Sequence, residues 1–236
     1  MEAPAEARGV AADIAGRSVG VRSDRTPEPT LEREISKRMD LIPIKIEHGE
    51  EKAWGLVCGL PRAEVCRATG ASFDEKAGAY LLRCYGRDFH VNPCDMLIAS
   101  ADGRGELFLG KLKDFFRLAV LWYMSNAKEI PPTGRLLKPT DVKGGLRFTV
   151  GTHVLPLEAI AQRFRRDREG FLRLGRAYGA EELPGMADAA LRFHPLPRVP
   201  VTVLLWLEDE EFPPRVDLFF DSTCEFQLAL SDVIWA

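Results

Sequence analysis

Polar side chains that could do chemistry flank two apolar segments in the last third of the chain. Asp221 directly follows the apolar run 218–220, and Arg198 directly precedes the apolar segment 199–207. If these segments pair as antiparallel strands, both side chains lie at the same end of the sheet. An arginine and a carboxylate there could bind an anionic ligand or could form a structural salt bridge. Trp206, inside the same segment, is the third candidate ligand-binding residue.

These residues are compatible with two functions of different classes. The first is a ligand- or partner-binding accessory protein that uses Arg198, Trp206 and Asp221. The second is an enzyme acting on a small anionic substrate, with Asp221 as acid or base and Arg198 as the anion clamp. The sequence has no nucleophile elbow, no zinc-protease motif and no phosphate-binding loop. It therefore leaves both the catalytic status and any cofactor unknown.

The cysteines raise the question of a metal. Cys84, His90 and Cys94 have the spacing C-x5-H-x3-C, which is compatible with metal ligation. The predicted hairpin places Cys84 and His90 on opposite faces, because side chains alternate along a strand. No C-x-x-C pair occurs among the five cysteines. We therefore predict no metal site, and we expect reduced thiols in a cytoplasmic protein.

A basic stretch and the overall charge bear on possible partners. Six arginines lie in residues 163–176 against only Asp167 and Glu169, so this stretch could hold phosphates or an acidic partner. It could equally be the solvated faces of two helices. The chain as a whole has a formal net charge of -3 and the stretch has few aromatic residues. The prediction is a small anionic ligand or a protein partner, and no nucleic acid.

Composition and segment patterns predict one α+β domain. The chain has 236 residues, of which 46% are hydrophobic, and no apolar run approaches the roughly 18 residues of a membrane span. Residues 1–30 lack aromatic residues and are predicted to be a disordered tail. Residues 31–47 are predicted as an extended arm or edge segment, and residues 48–236 as a single domain. No signal peptide and no association with a membrane are expected.

The predicted elements of this domain are two antiparallel hairpins packed against helices. The hairpins span about 80–92 and 199–220, the long helix about 107–127, and two further helices about 156–178. The first hairpin is expected to turn at Gly86-Arg87, with Cys84 opposite Phe89. Alternation along the strands places Leu82, Cys84, Phe89 and Val91 on the core face. A strand at 189–193 and the start of a C-terminal helix at 230–236 complete the pattern.

Several short motifs, in this order, resemble a known family. The motifs are Pro131-Pro132-Thr133-Gly134, Leu196-Pro197-Arg198-Val199-Pro200, Trp206, Asp209-Glu210-Glu211-Phe212-Pro213 and Phe220-Asp221. Residues 48–236 thereby resemble a prokaryotic domain-of-unknown-function family, number 3786. The resemblance implies a setting in anaerobic prokaryotes near iron–sulfur and corrinoid one-carbon metabolism. The family tends to carry a His after the last motif, where this chain has Ser222-Thr223-Cys224, which puts the role of that His in doubt here.

Overall fold

The computed structural model of the chain describes residues 46–143, 145–148 and 154–228. The predicted tail at 1–30, nearly all of the arm at 31–47 and the helix at 230–236 lie outside these residues. Within them the α+β class is confirmed, with helices packed on two antiparallel sheets. None of the helices in the described ranges is long and apolar enough to cross a bilayer.

The strands form a four-stranded and a five-stranded sheet. They are β1 (Ser72–Asp74), β2 (Ala79–Cys84), β3 (Arg87–Asn92), β4 (Leu97–Ser100), β5 (Leu136–Leu137), β6 (Glu181–Glu182), β7 (Ala189–Leu196), β8 (Val199–Trp206) and β9 (Arg215–Asp221). The first sheet has the order β1-β2-β3-β4 and the second β5-β9-β8-β7-β6. The predicted hairpins are β2–β3 and β8–β9. Strands β1, β4, β5 and β6 are too short, at two to four residues, to give a periodic signal.

Seven α-helices occur in the described residues. They are α1 (Ile46–Gly59), α2 (Arg62–Thr69), α3 (Gly103–Leu107), α4 (Lys113–Asn126), α5 (Leu157–Arg163), α6 (Arg168–Ala177) and α7 (Cys224–Gln227). A π-helical turn spans Phe108–Leu112, and 3-10 turns span Pro139–Asp141 and Gly145–Phe148. The predicted long helix is therefore interrupted. Phe108 is the first residue of the π turn, and its ring stacks on that of Tyr85 with 4.9 Å between the centroids.

The first hairpin has the predicted faces but a different turn. Leu82, Cys84, Phe89 and Val91 are all fully buried, as the alternation predicts. The predicted pairing of Cys84 with Phe89 is wrong, because Phe89 pairs with Leu82 and Cys84 with Arg87. The difference is two residues, which leaves every side chain on its predicted face because strands have a period of two.

The turn of this hairpin is consequently Tyr85-Gly86 and has left-handed backbone angles. Both residues have positive φ, 49° and 70°, as a type I′ turn requires. This conformation is unfavourable for a bulky residue such as Tyr85. Two contacts compensate for it: the Phe108 stacking, and a 2.7 Å hydrogen bond from the Tyr85 N–H to the His194 carbonyl oxygen.

Two apolar cores lie on one face of the second sheet. The larger core joins both sheets to α1 and α4, with Trp54, Phe89, Phe116 and Val201 among its buried members. The smaller core packs α5 and α6 on β7, β8 and β9. Val203, in the middle of β8, packs against both cores. The helices therefore bury one face of the second sheet, and polar side chains are found on the other.

The Tyr85-Gly86 turn docks on the end of α6 without any side chain between the two backbones. A Cβ atom added to Gly86 would lie 2.8 Å from the Cα of Gly179, and one added to Gly179 would lie 2.6 Å from the Cα of Gly86. Arg87 reinforces the contact by donating to the carbonyl oxygen of Ala177 and pairing with Asp102. Glycine is therefore required at both positions by close approach as well as by φ.

The close approach can be separated from the φ effect with two matched alanine variants. Gly78 has a positive φ of 62° and open space around its missing Cβ. We expect Gly78→Ala to lower the free energy of unfolding by about 1 kcal/mol, from left-handed strain alone. Gly86→Ala adds a backbone clash and should lower it by about 3 kcal/mol. Urea unfolding of the two variants measures both values, and equal losses would contradict the docking contact.

Candidate functional site

A group of polar side chains lies on the face of the second sheet opposite the two cores. Arg192 pairs with Thr202, so their side chains share a face, and His194 follows two residues later on β7. Thr202 also pairs with Phe219, two residues before Asp221 on β9. Strands β7, β8 and β9 therefore each contribute polar side chains to this face.

These side chains line a cleft with a volume of about 310 Å³. The loop between α4 and β5 forms one wall and the sheet forms the floor. The lining residues are Pro132, Thr133, Gly134, Leu136, Arg192, His194, Pro200, Thr202 and Asp221. The volume is at the lower end of the range for small-molecule sites. A cation, an imidazole, two hydroxyls and a carboxylate thus meet in a space suited to a small polar ligand.

Asp221 is buried at the base of the cleft, with 2% of its surface exposed. Its Oδ1 accepts hydrogen bonds from the N–H and hydroxyl of Thr223, at 3.0 and 2.8 Å, and from the N–H and hydroxyl of Thr133, at 3.2 and 3.4 Å. Its Oδ2 accepts one from the Gly134 N–H at 2.6 Å. The carboxylate therefore fastens the loop at 133–134 to the end of β9.

These hydrogen bonds determine the charge of Asp221. Burial alone raises the pKa of the carboxyl, but the donors of Thr223, Thr133 and Gly134 together outweigh it and hold the pKa below its usual value. Asp221 is thus ionised at neutral pH and can only accept hydrogen bonds. A general acid or base would need a pKa nearer to neutrality, so this environment favours a binding or positioning role.

Arg198 lies in the two-residue turn between β7 and β8 and bonds to α2. Its Nε donates to the Ala68 carbonyl oxygen at 2.6 Å and its Nη2 to that of Arg67 at 2.9 Å. The antiparallel pairing of β8 and β9 is as predicted, with Val201 opposite Phe220. In the described part of the chain, however, Arg198 forms no ion pair with Asp221. Its guanidinium instead satisfies carbonyl groups at the helix C-terminus.

Trp206 lies at the far end of β8, opposite Arg215. Its indole N–H donates to Asp217 at 2.9 Å, and the Arg215 guanidinium lies 5.2 Å from the ring centroid. Arg215 is six residues from Asp221 on β9, which corresponds to about 20 Å. The fold therefore does not bring Arg198, Trp206 and Asp221 together into one site, and their shared binding role stays a prediction.

Sequence reasoning missed Arg192 and His194 as site residues. The predicted strand ended at residue 193, whereas β7 continues to Leu196 with one extra residue between Phe193 and Leu196. The carbonyl oxygen of His194 accepts the Tyr85 N–H within this irregularity. The alternation of Arg192 and His194 was the available signal, but the bulge that follows hides the continuation of the strand.

The cysteines do not form a metal centre in the structure. Cys84 is buried and faces away from His90, as predicted, because the two occupy opposite faces of the hairpin. Among the residues that the structure describes, no group of three or more His, Cys, Asp or Glu side chains is placed to hold a metal ion. Cys58 and Cys94 are exposed and Cys224 is buried.

The basic stretch at 163–176 is largely paired with acidic residues from other segments. Glu208 lies 3.5 Å from Arg165 and 3.2 Å from Arg166. Glu182 lies 2.9 Å from Arg168 and 3.1 Å from Arg176. In the folded protein, acidic side chains from outside the stretch therefore offset much of its positive charge.

The fold and cleft are those of an α+β protein with a polar, sheet-based pocket. Residues 62–236 match the family described as Domain of unknown function (DUF3786), and the chain belongs to that family. This match confirms the resemblance of the ordered motifs and includes every residue that lines the cleft. No curated protein and no solved structure matches the chain.

The hydrogen bonds to Asp221 predict a pH-dependent contribution to stability. We expect Asp221→Asn to lower the free energy of unfolding by about 2 kcal/mol at pH 7, because an amide cannot accept from all five donors. The folded pKa is below the unfolded value of about 3.9. The wild-type advantage should therefore be present well above pH 4 and be lost as the pH falls through the lower folded pKa.

Urea unfolding between pH 2.5 and 7 tests this dependence. The control is Asp209→Asn, in an exposed turn where the carboxylate accepts the backbone N–H groups of Glu211 and Phe212 at 2.8 and 2.7 Å. We expect this control to change stability by less than about 1 kcal/mol. A loss for Asp221→Asn that is the same at every pH would contradict the assigned charge.

Thiol accessibility provides a separate test of the fold. Burial raises the pKa of Cys224 to about 11 and also raises the pKa of Cys84. We expect a thiol reagent at pH 8 to modify Cys58 and Cys94 rapidly in the native protein, and Cys84 and Cys224 only after unfolding. Peptide mass mapping after timed labelling identifies the modified residues. Rapid native labelling of Cys84 would refute the packing of the first sheet.

Proposed function

We propose that this protein is an accessory binding protein whose cleft takes a small anionic ligand. The observation that carries the proposal is the placement of Arg192 and His194 on the β7 side of a cleft whose buried carboxylate is already hydrogen bonded by five protein donors. In this proposal Arg192 supplies the charge that attracts the anion, and His194 and Thr202 supply hydrogen bonds. Asp221 positions the loop that forms the opposite wall.

The surroundings of Arg192 support its role as the anion contact. Among the residues that the structure describes, its acidic partner is Glu181, 3.9 Å away, and the two side chains are 37% and 64% exposed. An exposed ion pair at this distance contributes little to stability. The guanidinium can therefore exchange Glu181 for a ligand at small cost. Arg198, by contrast, already donates to two carbonyl oxygens.

An enzyme with Asp221 as acid or base is the second candidate, supported by the place of Asp221 in the cleft lining. The lowered pKa and the number of protein donors on its Oδ1 favour binding over proton transfer. A protein partner, a cytoplasmic location and a role near iron–sulfur or corrinoid one-carbon metabolism complete the proposal. The metabolic setting rests on the family resemblance alone, and the cytoplasmic location on the reduced cysteines expected from the sequence.

Ligand-induced stabilisation of the full chain tests the anion site. The probes are phosphate and butyrate at 20 mM against chloride at equal ionic strength, read as shifts in the thermal unfolding midpoint. A probe with a Kd of about 1 mM should stabilise the protein by about 1.8 kcal/mol at this concentration. We expect Arg192→Gln to abolish the shift.

The matched control is Arg173→Gln, which removes one positive charge from an exposed position on α6. It should keep the full shift, because Arg173 is not one of the residues that line the cleft. Equal shifts in wild type, Arg192→Gln and Arg173→Gln would eliminate the anion site.

A further inference from the structure

The cleft has a cationic side chain, Arg192, on one side and an anionic one, Asp221, on the other. The ligand must therefore complement both groups, and its negative charge alone does not define it. Resting on the proposed function, we infer that the ligand is a short carboxylate that carries a hydroxyl or ammonium donor at its far end. The anionic end contacts Arg192 and His194 on β7. The donor end contacts Asp221 on β9, with Thr202 on β8 between them.

The carboxylate of Asp221 is the reason why the ligand must carry a hydrogen-bond donor. A carboxylate has about four lone-pair positions on its two oxygens. Four protein donors converge on Oδ1, whereas Oδ2 accepts only the Gly134 N–H in the described structure. Asp221 also lines the cleft. A group that approaches the remaining position of Oδ2 must donate a hydrogen bond, and a second anion there would be repelled.

The position of Thr202 in the cleft floor supports the same ligand independently. Its side chain is on the cleft side of β8, 2% of the residue surface is exposed, and it lines the cavity. Among the described residues no hydrogen-bond partner is found for its hydroxyl, and this oxygen is not one of the fully buried unpaired side-chain atoms, so it is accessible from the cleft. A ligand hydroxyl or carboxylate in the cleft would satisfy it. The hydroxyl is therefore placed to contact the donor end of a ligand that spans the floor, together with Asp221.

The sheet geometry determines how long the ligand must be. Strands β7 and β9 are separated by β8, so their backbones lie about 10 Å apart. Arg192 and His194 line the cleft from β7, and Asp221 lines it from β9. The remaining span matches an acid of about four or five carbons, counting the carboxyl carbon, with its donor on the last carbon. The volume of about 310 Å³ accommodates a molecule of that size.

Two matched pairs of acids test the inference on the full chain. The pairs are butyrate with 4-hydroxybutyrate, and pentanoate with 5-aminopentanoate, and the readout is the Kd from ligand-observed NMR titration. We expect the donor-bearing member of at least one pair to bind about tenfold more tightly than its unsubstituted partner. Arg192→Gln should weaken both members of a pair and leave their ratio unchanged.

Thr202→Val removes only the hydroxyl, at nearly constant volume, and should reduce the tenfold preference. Its thermal unfolding midpoint confirms that the variant is folded.

The outcomes separate this inference from the proposed function. Equal affinities within both pairs overturn the donor requirement and leave the anion site intact. Binding of phosphate without binding of any of the four acids also overturns the inference. Failure of phosphate and all four acids to bind overturns the inference and the anion site together.

Discussion

The contact between the backbones of Gly86 and Gly179 is the constraint on which the arrangement of this protein depends. It brings the tip of the first hairpin onto the end of α6, with no room for a Cβ atom on either side. Only at this distance can the Tyr85 N–H reach the carbonyl oxygen of His194 on the second sheet. The two sheets are therefore held at a separation that lets Phe89 and Val201 share one core.

The same contact has a consequence for the cleft. The Tyr85 N–H donates to the carbonyl oxygen of His194, which lies in the part of β7 that contains an extra residue. The side chain of the same residue lines the cavity. A bulge changes the direction in which neighbouring side chains point. The packing of the first sheet thereby helps to orient His194, although no residue of the first sheet lines the cleft. In the described part of the chain the two helix-packed cores lie on the other face of the second sheet, and the polar side chains of the cleft lie on this one.

Asp221 shows how a buried charge can be retained without an ion pair. Removing a carboxylate from water is unfavourable unless donors replace the water. Five donors from Thr133, Gly134 and Thr223 do so here, three of them backbone N–H groups. The lowered pKa is the electrostatic result of this arrangement. The role that follows is to hold the loop wall and to present a fixed negative oxygen to the cleft.

The predictions from sequence succeeded where a periodic pattern was long enough to be read. The buried faces of the first hairpin follow from alternation, and the pairing of β8 with β9 follows from two apolar segments close in sequence. The turn was misplaced because a glycine suggests a turn type without determining its register, and Tyr85 in a left-handed conformation has no signal in sequence. The end of β7 was missed because the bulge breaks the alternation.

The amino-acid order alone was sufficient for the α+β class, the main hairpins and the presence of a carboxylate at the end of an apolar strand. The partners of the polar side chains depended on the folded chain. Arg198 bonds to a carbonyl group 130 residues earlier, and Asp221 to a loop 88 residues earlier. Local patterns act over a few residues, whereas such partners are chosen by how sheets and helices pack. Folding therefore assigned Arg198 to a helix end and Trp206 to the far end of its strand, and it placed Arg192 and His194 in the same cleft as Asp221.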